Sequence, residues 1–442
     1  MVSSLLVLEG SSLLEGYESK RPKSRRLYER AKKVLPAGVS YFVRYFEPYP
    51  FYVTHAKGSK IFDVDGNEYI DFWMGHYTHI LGHNPAPIRK AVAKQLERGI
   101  HLGVCHESEI ALAEQAVKMI PSAEMVRFTN SGTEASMYAT RLARACTGKS
   151  KIVKFEGCWH GGYDALQVAV KPPMDVEETS GIPPEALKNT LVAPFNDIEA
   201  TRQRTKNHEI AAFIIEPVLG SGGGIPAEKE FLQGLRELSR EKDALLVFDE
   251  VITGFRLSPG GAQQLYGVAP DLTILGKILG GGFPIGAIAG KREIMERLDA
   301  TVYERPELCF HGGTFCANPI TTTAGLTMLK LLEDGTIIRQ LNKRCTKLRQ
   351  QLKEIFESQN IDVQVMGEGS LFQTHFTSEK IRDVHAVSRA DKQRLDDYEM
   401  TLITKGVFFL PRKLGALSKA HTEVDLDKLL AKTEDYARTC KH

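Results

Sequence analysis

The 442-residue sequence is short of most features that mark specialised protein classes. It has no C-x-x-C pair, and its seven cysteines (105, 146, 158, 309, 316, 345 and 440) are scattered and odd in number. That excludes a disulfide framework and a zinc signature, and predicts a reducing, cytoplasmic setting. No apolar run approaches the roughly 18–20 residues that cross a bilayer, so no membrane partner is expected. The opening stretch MVSSLLVLEGSSLLEG lacks a basic start and is broken by Glu9, unlike a secretory leader. Excess charge of one sign is missing too: 57 Lys and Arg face 55 Asp and Glu, a formal net of +2. Such a balance predicts no nucleic-acid partner. There is no internal repeat and no low-complexity linker. No strand leads into a G-x-G-x-x-G turn, which argues against a dinucleotide-binding dehydrogenase.

What is present is globular: 42% of residues are hydrophobic and 25% charged, over a length that suits two or three domains. A helix-compatible segment follows Pro22, then an aromatic loop from Val39 to Tyr52. The segment KGSKIFDVDGNEYIDF reads as strands turning at Asp65-Gly66. From about residue 85, short apolar runs alternate with helical stretches. The runs are MVRFT (125–129), KIVKF (151–155), AAFIIEP (211–217), ALLVFDEV (244–251) and DLTILGK (271–277). Helices are predicted over Glu134–Cys146 and Glu230–Arg240. This alternation predicts an α/β fold, a mostly parallel sheet covered on both faces, with active residues at the strands' carboxyl ends. After about residue 325 the chain turns helix-rich and charged. The expected division gives residues 1–70 to a small α+β domain, 71–325 to a large domain, and 326–442 to the rest of the small one.

Several residues at strand ends carry chemistry. Lys277 closes the run DLTILG; burial there lowers an amine's pKa and frees it for Schiff-base formation, although a lysine snorkelling to solvent gives the same pattern. Asp249 closes ALLVFD and would suit a protonated ring nitrogen, with Arg256 as the alternative ion-pair partner. Ser131, Gly132 and Thr133 follow MVRFT and open a helix, where free amides and hydroxyls hold phosphate or simply cap the helix. Trp159 and His160 follow KIVKF; the indole could stack on a planar cofactor with Val251 on the other face, or pack in the core. Gly313-Thr314 in HGGTFCANP supplies another donor-rich backbone.

Together NSGTEAS, KFEGCWHGG, IIEPV, FDEVITGFR, LGKILGGGFPIGA and HGGTFCANP, in this order, resemble the class III aminotransferases from about Lys33 onward. These are pyridoxal 5′-phosphate (PLP) enzymes of fold type I. The resemblance implies that Lys277 holds PLP as a Schiff base and moves protons. It implies that Asp249 pairs with the pyridine nitrogen, and that Trp159 and Val251 flank the ring with His160 alongside. Ser131, Gly132 and Thr133 would bind phosphate, Thr314 would reach the neighbouring subunit's phosphate in a homodimer or larger assembly, and Glu216 would lie near the phenolic oxygen or the substrate.

Within that family, MVRFTNSGTEASMYATRLARACTGKSKIVKFEGC and GKILGGGFPIGAIAGKREIM resemble the glutamate-1-semialdehyde 2,1-aminomutases. Three places depart from that pattern: PAGVSYFVR, where Arg44 still matches; His76, where a tryptophan stands; and LPRKLGALSKAHT, which has Arg412-Lys413 in place of a Ser…Glu motif. The last resembles aminotransferases of β- or ω-amino acids, and implies Arg44, His76 and Arg412 at the substrate, Arg412 as carboxylate fork, with a surface position for Arg412 as the alternative. An amino-acid racemase or epimerase uses the same fold and is a further alternative.

Overall fold

The computed structural model describes residues 12–440 apart from Arg305. Most of the opening stretch compared above with a secretory leader therefore lies outside the described residues.

Seven strands form the central sheet: β1 (Met125–Thr129), β2 (Lys151–Phe155), β3 (Thr190–Ala193), β4 (Ile210–Ile215), β5 (Leu245–Asp249), β6 (Leu272–Gly276) and β7 (Gly286–Gly290). They lie in the order β1-β7-β6-β5-β4-β2-β3, and only β7 runs antiparallel to its neighbours. Every residue of β4 is buried, which is why the strand reads as an unbroken apolar run. Alternate residues enter two cores. Phe213, Ile215, Leu246 and Phe248 pack with Phe231, Leu235 and Leu238 of the helix Lys229–Glu241. Ala212, Ile214, Val247 and Ile274 pack on the opposite face with Ala139 and Leu142 of the helix Gly132–Thr147.

The two ends of the chain meet. Strands Val53–Lys57, Lys60–Asp63 and Glu68–Asp71 form an antiparallel sheet whose last turn uses Gly66 at φ +93°. Val407–Phe408 then adds in parallel beside Glu68–Asp71, with Ile70 N donating to Gly406 O and Phe72 N to Phe408 O, both at 2.9 Å. An aromatic core of Tyr17, Phe46, Tyr49, Phe51, Tyr69 and Phe408 seals this junction, so much of the Val39–Tyr52 loop serves packing. A smaller sheet of Gln364–Met366, Leu371–His375 and Gly415–Ala416 lies farther along the C-terminal part.

Candidate active site

Because β1, β2, β4, β5 and β6 are mutually parallel, their carboxyl ends share one edge. Residues 130–133, 156–160, 216, 249–251 and 277 all leave from it. Lys277 takes φ +48° directly after β6 and opens the short helical turn Lys277–Gly280. A non-glycine residue in that region is strained, so its surroundings must hold it there. Lys277 is half-buried, and burial pulls its ammonium down to about 8 against the raising effect of Asp249 and Glu216. An amine so placed is partly a free base at neutral pH.

Asp249 is 5% exposed at the end of β5, the strand beside β6. Its partner is not Arg256. His160 Nδ1–H donates to Oδ2 at 2.8 Å, and Val251 N donates to Oδ1 at 3.1 Å. Burial holds the His160 imidazole below its ordinary pKa although Asp249 opposes this, and its Nε2 is buried with no partner among the described residues. Glu216 is the second buried acid, accepting from Trp159 N at 2.7 Å and Gly220 N at 3.2 Å. Burial, then the charge of Asp249, pushes it up to about 8, well above the ordinary carboxylate range.

Ser131 caps the helix Gly132–Thr147 by accepting from Glu134 N at 3.2 Å, and the amides of Gly132 and Thr133 head that helix as donors. Thr133 Oγ1 accepts from Gly162 N at 3.2 Å, and a Cβ at Gly161 would stand 2.2 Å from that hydroxyl. The Trp159–Gly162 loop is thus tied to the helix start. Val251 lies over the same place: a Cβ on Gly132 would come within 3.1 Å of it, and one on Gly276 within 3.2 Å. Thr314 is exposed on a loop that approaches Asn130, where a Cβ on Gly313 would be 3.0 Å from the amide nitrogen.

Facing Lys277 is a turn of unusual hand. Met74, Gly75, His76 and Tyr77 have φ of +47°, +57°, +61° and +66°. The left-handed form costs roughly 1–2 kcal/mol for each non-glycine residue. Asp71 Oδ1 fixes the entry by accepting from Trp73 N at 2.8 Å and Met74 N at 3.2 Å. The turn packs against Lys277–Gly280 and sets His76 against Tyr41 (ring centroids 6.0 Å, 11°) and Trp73 (4.4 Å). Burial, then Lys277, Lys413 and Arg44, push His76 down to about 3, so the imidazole is neutral. Arg44 is exposed at the end of the turn Phe42–Arg44, next to this aromatic group.

Arg412 does not join the other candidates. It is an αL residue (φ +61°) whose guanidinium pairs with Asp396, with Nε–Oδ1 at 2.6 Å, and whose side chain is 55% exposed. The reversed backbone turns Lys413 inward instead. Lys413 is half-buried beside Gln373, Thr374 and Glu399, and burial, then Lys171, lowers its ammonium to about 8. Sequence reasoning passed over Lys413 and Trp73. The Arg-Lys pair and the aromatics around His76 were the available signals.

The aminotransferase class-III family model matches residues 41–410. The chain belongs to the class-III aminotransferases. Its chemistry is amino-group transfer, on the mixed α/β scaffold of that family. Among curated class-III relatives, the glutamate-1-semialdehyde 2,1-aminomutase of Methanopyrus kandleri is 43% identical over 93% of this chain and 96% of its own. A solved ω-transaminase from Sphaerobacter thermophilus superposes at TM-score 0.89 with 38% identity, covering 94% of this chain and 97% of that one. A β-phenylalanine aminotransferase from Variovorax paradoxus gives TM-score 0.89 at 32% identity, covering 97% and 96%.

Proposed function

We propose that this enzyme moves amino groups with PLP held on Lys277. The observation that carries the reading is the delivery of Lys277 and Asp249, an amine and a carboxylate, by the ends of adjacent parallel strands β6 and β5. The residues fit the cofactor. Asp249, oriented by His160, offers its carboxylate to the pyridine nitrogen, and Glu216 offers a proton to the phenolic oxygen. The Gly132 and Thr133 amides with the Ser131 hydroxyl bind phosphate, and Trp159 and Val251 flank the ring. When bound, PLP supplies an electron sink for the carbon bearing the amino group. With the cofactor bound, the Lys277 amine would be the base that takes the proton from that carbon and the acid that returns it.

The first reading of the substrate is glutamate-1-semialdehyde, supported by the 43% identity to an aminomutase. A second reading, a β- or ω-amino acid with a keto-acid acceptor, is favoured by His76 and the inward-turned Lys413, and by the likeness to the two transaminases. Giving the PLP-loaded protein glutamate-1-semialdehyde alone, and assaying 5-aminolevulinate, separates them. Product without any keto acid supports the mutase. Its absence, with turnover of β- or ω-amino acids and 2-oxoglutarate or pyruvate, supports the transaminase.

We also infer a homodimer in which Thr314 serves the partner's phosphate site. Phe315, next to it, is 60% exposed and meets the His101 ring at a tilt, with centroids 5.1 Å apart, beside exposed Ile100 and Val104. An apolar surface of this kind calls for a partner, and a second copy supplies one. The seven free thiols suit a cytoplasmic setting.

A further inference from the structure

Arg256 is fully buried, and no carboxylate among the described residues pairs with it. It donates from Nη2 to Tyr77 O and from Nη1 to Ser370 Oγ at 2.9 Å, and its Nε is buried without a partner among the described residues. A lone buried guanidinium is expensive, and an apolar side chain would fill the same space at less cost. Its position gives the charge a use. The carbonyl it takes closes the left-handed Met74–Tyr77 turn, the far end from the Asp71 clamp. Ser370 precedes the strand Leu371–His375, and Leu371 packs with Met74, Tyr77 and Leu414. Arg256 itself sits seven positions after Asp249, in the segment leaving β5. Three parts of the chain therefore meet on one planar fork, which a single ammonium could not serve.

We propose that Arg256 is the positioning residue of the substrate mouth, pinning the Met74–Tyr77 turn, and with it His76, opposite Lys277 and tying it to the C-terminal sheet. Arg256 touches neither the reacting atoms nor the cofactor; it acts through the Tyr77 carbonyl. A second feature keeps the turn from adapting: a Cβ on Gly75 would lie 2.4 Å from the His79 ring, so the turn is walled on that side. Loss of the Arg256 contact lets the strained backbone relax and His76 leave its place between Tyr41 and Trp73. The proposal rests on the amino-group-transfer reading, because His76 bears on catalysis only if chemistry occurs at Lys277.

Steady-state kinetics of the PLP-loaded Arg256→Lys and Ser370→Ala enzymes, each also made in a His76→Ala background, test it. Arg256→Lys retains the charge but not the fork. It is expected to raise the amino donor's KM about tenfold while changing kcat by less than about threefold. With His76 already replaced, the same change is expected to move KM by under about twofold, the non-additivity of residues acting through one another. A readout independent of turnover uses Trp73, one of only two tryptophans. In a Trp159→Phe background, Arg256→Lys is expected to raise acrylamide quenching of Trp73 about twofold, and Ser370→Ala to raise it less, as mobile side chains become accessible. Equal KM changes with and without His76, or unchanged quenching in a folded variant, overturn the proposal. A wild-type enzyme that moves no amino group from any donor overturns the functional reading instead, and the Trp73 measurement still decides where Arg256 acts.

Discussion

His160 Nδ1 stands 2.8 Å from Asp249 Oδ2, and both side chains are buried at the carboxyl edge of the sheet. The imidazole fixes the carboxylate's direction, and the Val251 amide holds its other oxygen. Asp249→Asn removes the charge in the same shape. It is expected to cut kcat on the order of a thousandfold in a protein that still binds PLP, whereas His160→Gln costs about tenfold. Single-turnover rates with a saturating donor check both.

Lys277→Ala is expected to lower turnover by a factor on the order of 10,000 or more and to abolish borohydride trapping of PLP on the chain. In the unaltered protein the ammonium loses its proton near pH 8. Only the free amine attacks an aldehyde, so PLP capture should speed up about tenfold per pH unit below 8 and level off above it. Stopped-flow absorbance of PLP mixed with cofactor-free protein reads this directly.

Glu216 supplies a stability prediction. Its folded pKa of about 8 lies above its ordinary value of 4.5, so between those limits the folded chain keeps a proton that the unfolded chain releases. Stability of the cofactor-free protein therefore falls as pH rises from about 4.5 to about 8, and this contribution is flat above. Glu216→Gln removes it. The midpoint difference between wild type and variant in thermal unfolding should favour the wild type at pH 5 relative to pH 8, and groups remote from Glu216 cancel in the comparison.

Arg412 and Lys413 should respond differently. The exposed Arg412–Asp396 pair is worth at most about 1 kcal/mol, so Arg412→Ala is expected to leave KM within about twofold. Lys413 has no ion partner among the described residues and sits within the field of His76. Lys413→Ala is expected to raise KM about tenfold for donors with a carboxylate and to leave simple amines unaffected. A donor series with and without the carboxylate measures this.

Much of this arrangement was legible because buried parallel strands write themselves as apolar runs. MVRFT, KIVKF, AAFII, LLVFD and LTILG each became a strand, and the candidate residues Ser131, Trp159, Glu216, Asp249 and Lys277 lie at or just after their ends. β7, GAIAG, carried no such signal: its glycines are there because neighbours leave no room, as at Gly286, where a Cβ would lie 2.1 Å from Ser131 O. β3 was short enough to pass as loop. Long-range partners were not legible either. Nothing near Asp249 in sequence announces His160, and Arg256, seven residues on, is drawn off by Tyr77 and Ser370. The exchange of Arg412 for Lys413 depends on one positive φ, which an arginine does not advertise.

The parallel pairing of Val407–Phe408 with Glu68–Asp71 bears on how the enzyme is made. Translation emits Lys277, Asp249 and the whole central sheet long before residue 407 leaves the ribosome. The strand that leads into the His76 turn waits for its neighbour until nearly the end of synthesis. A chain cut short upstream of that point can bury its sheet and still lack a formed mouth. The mouth is therefore completed last, after the strands that carry Asp249 and Lys277 have already been made.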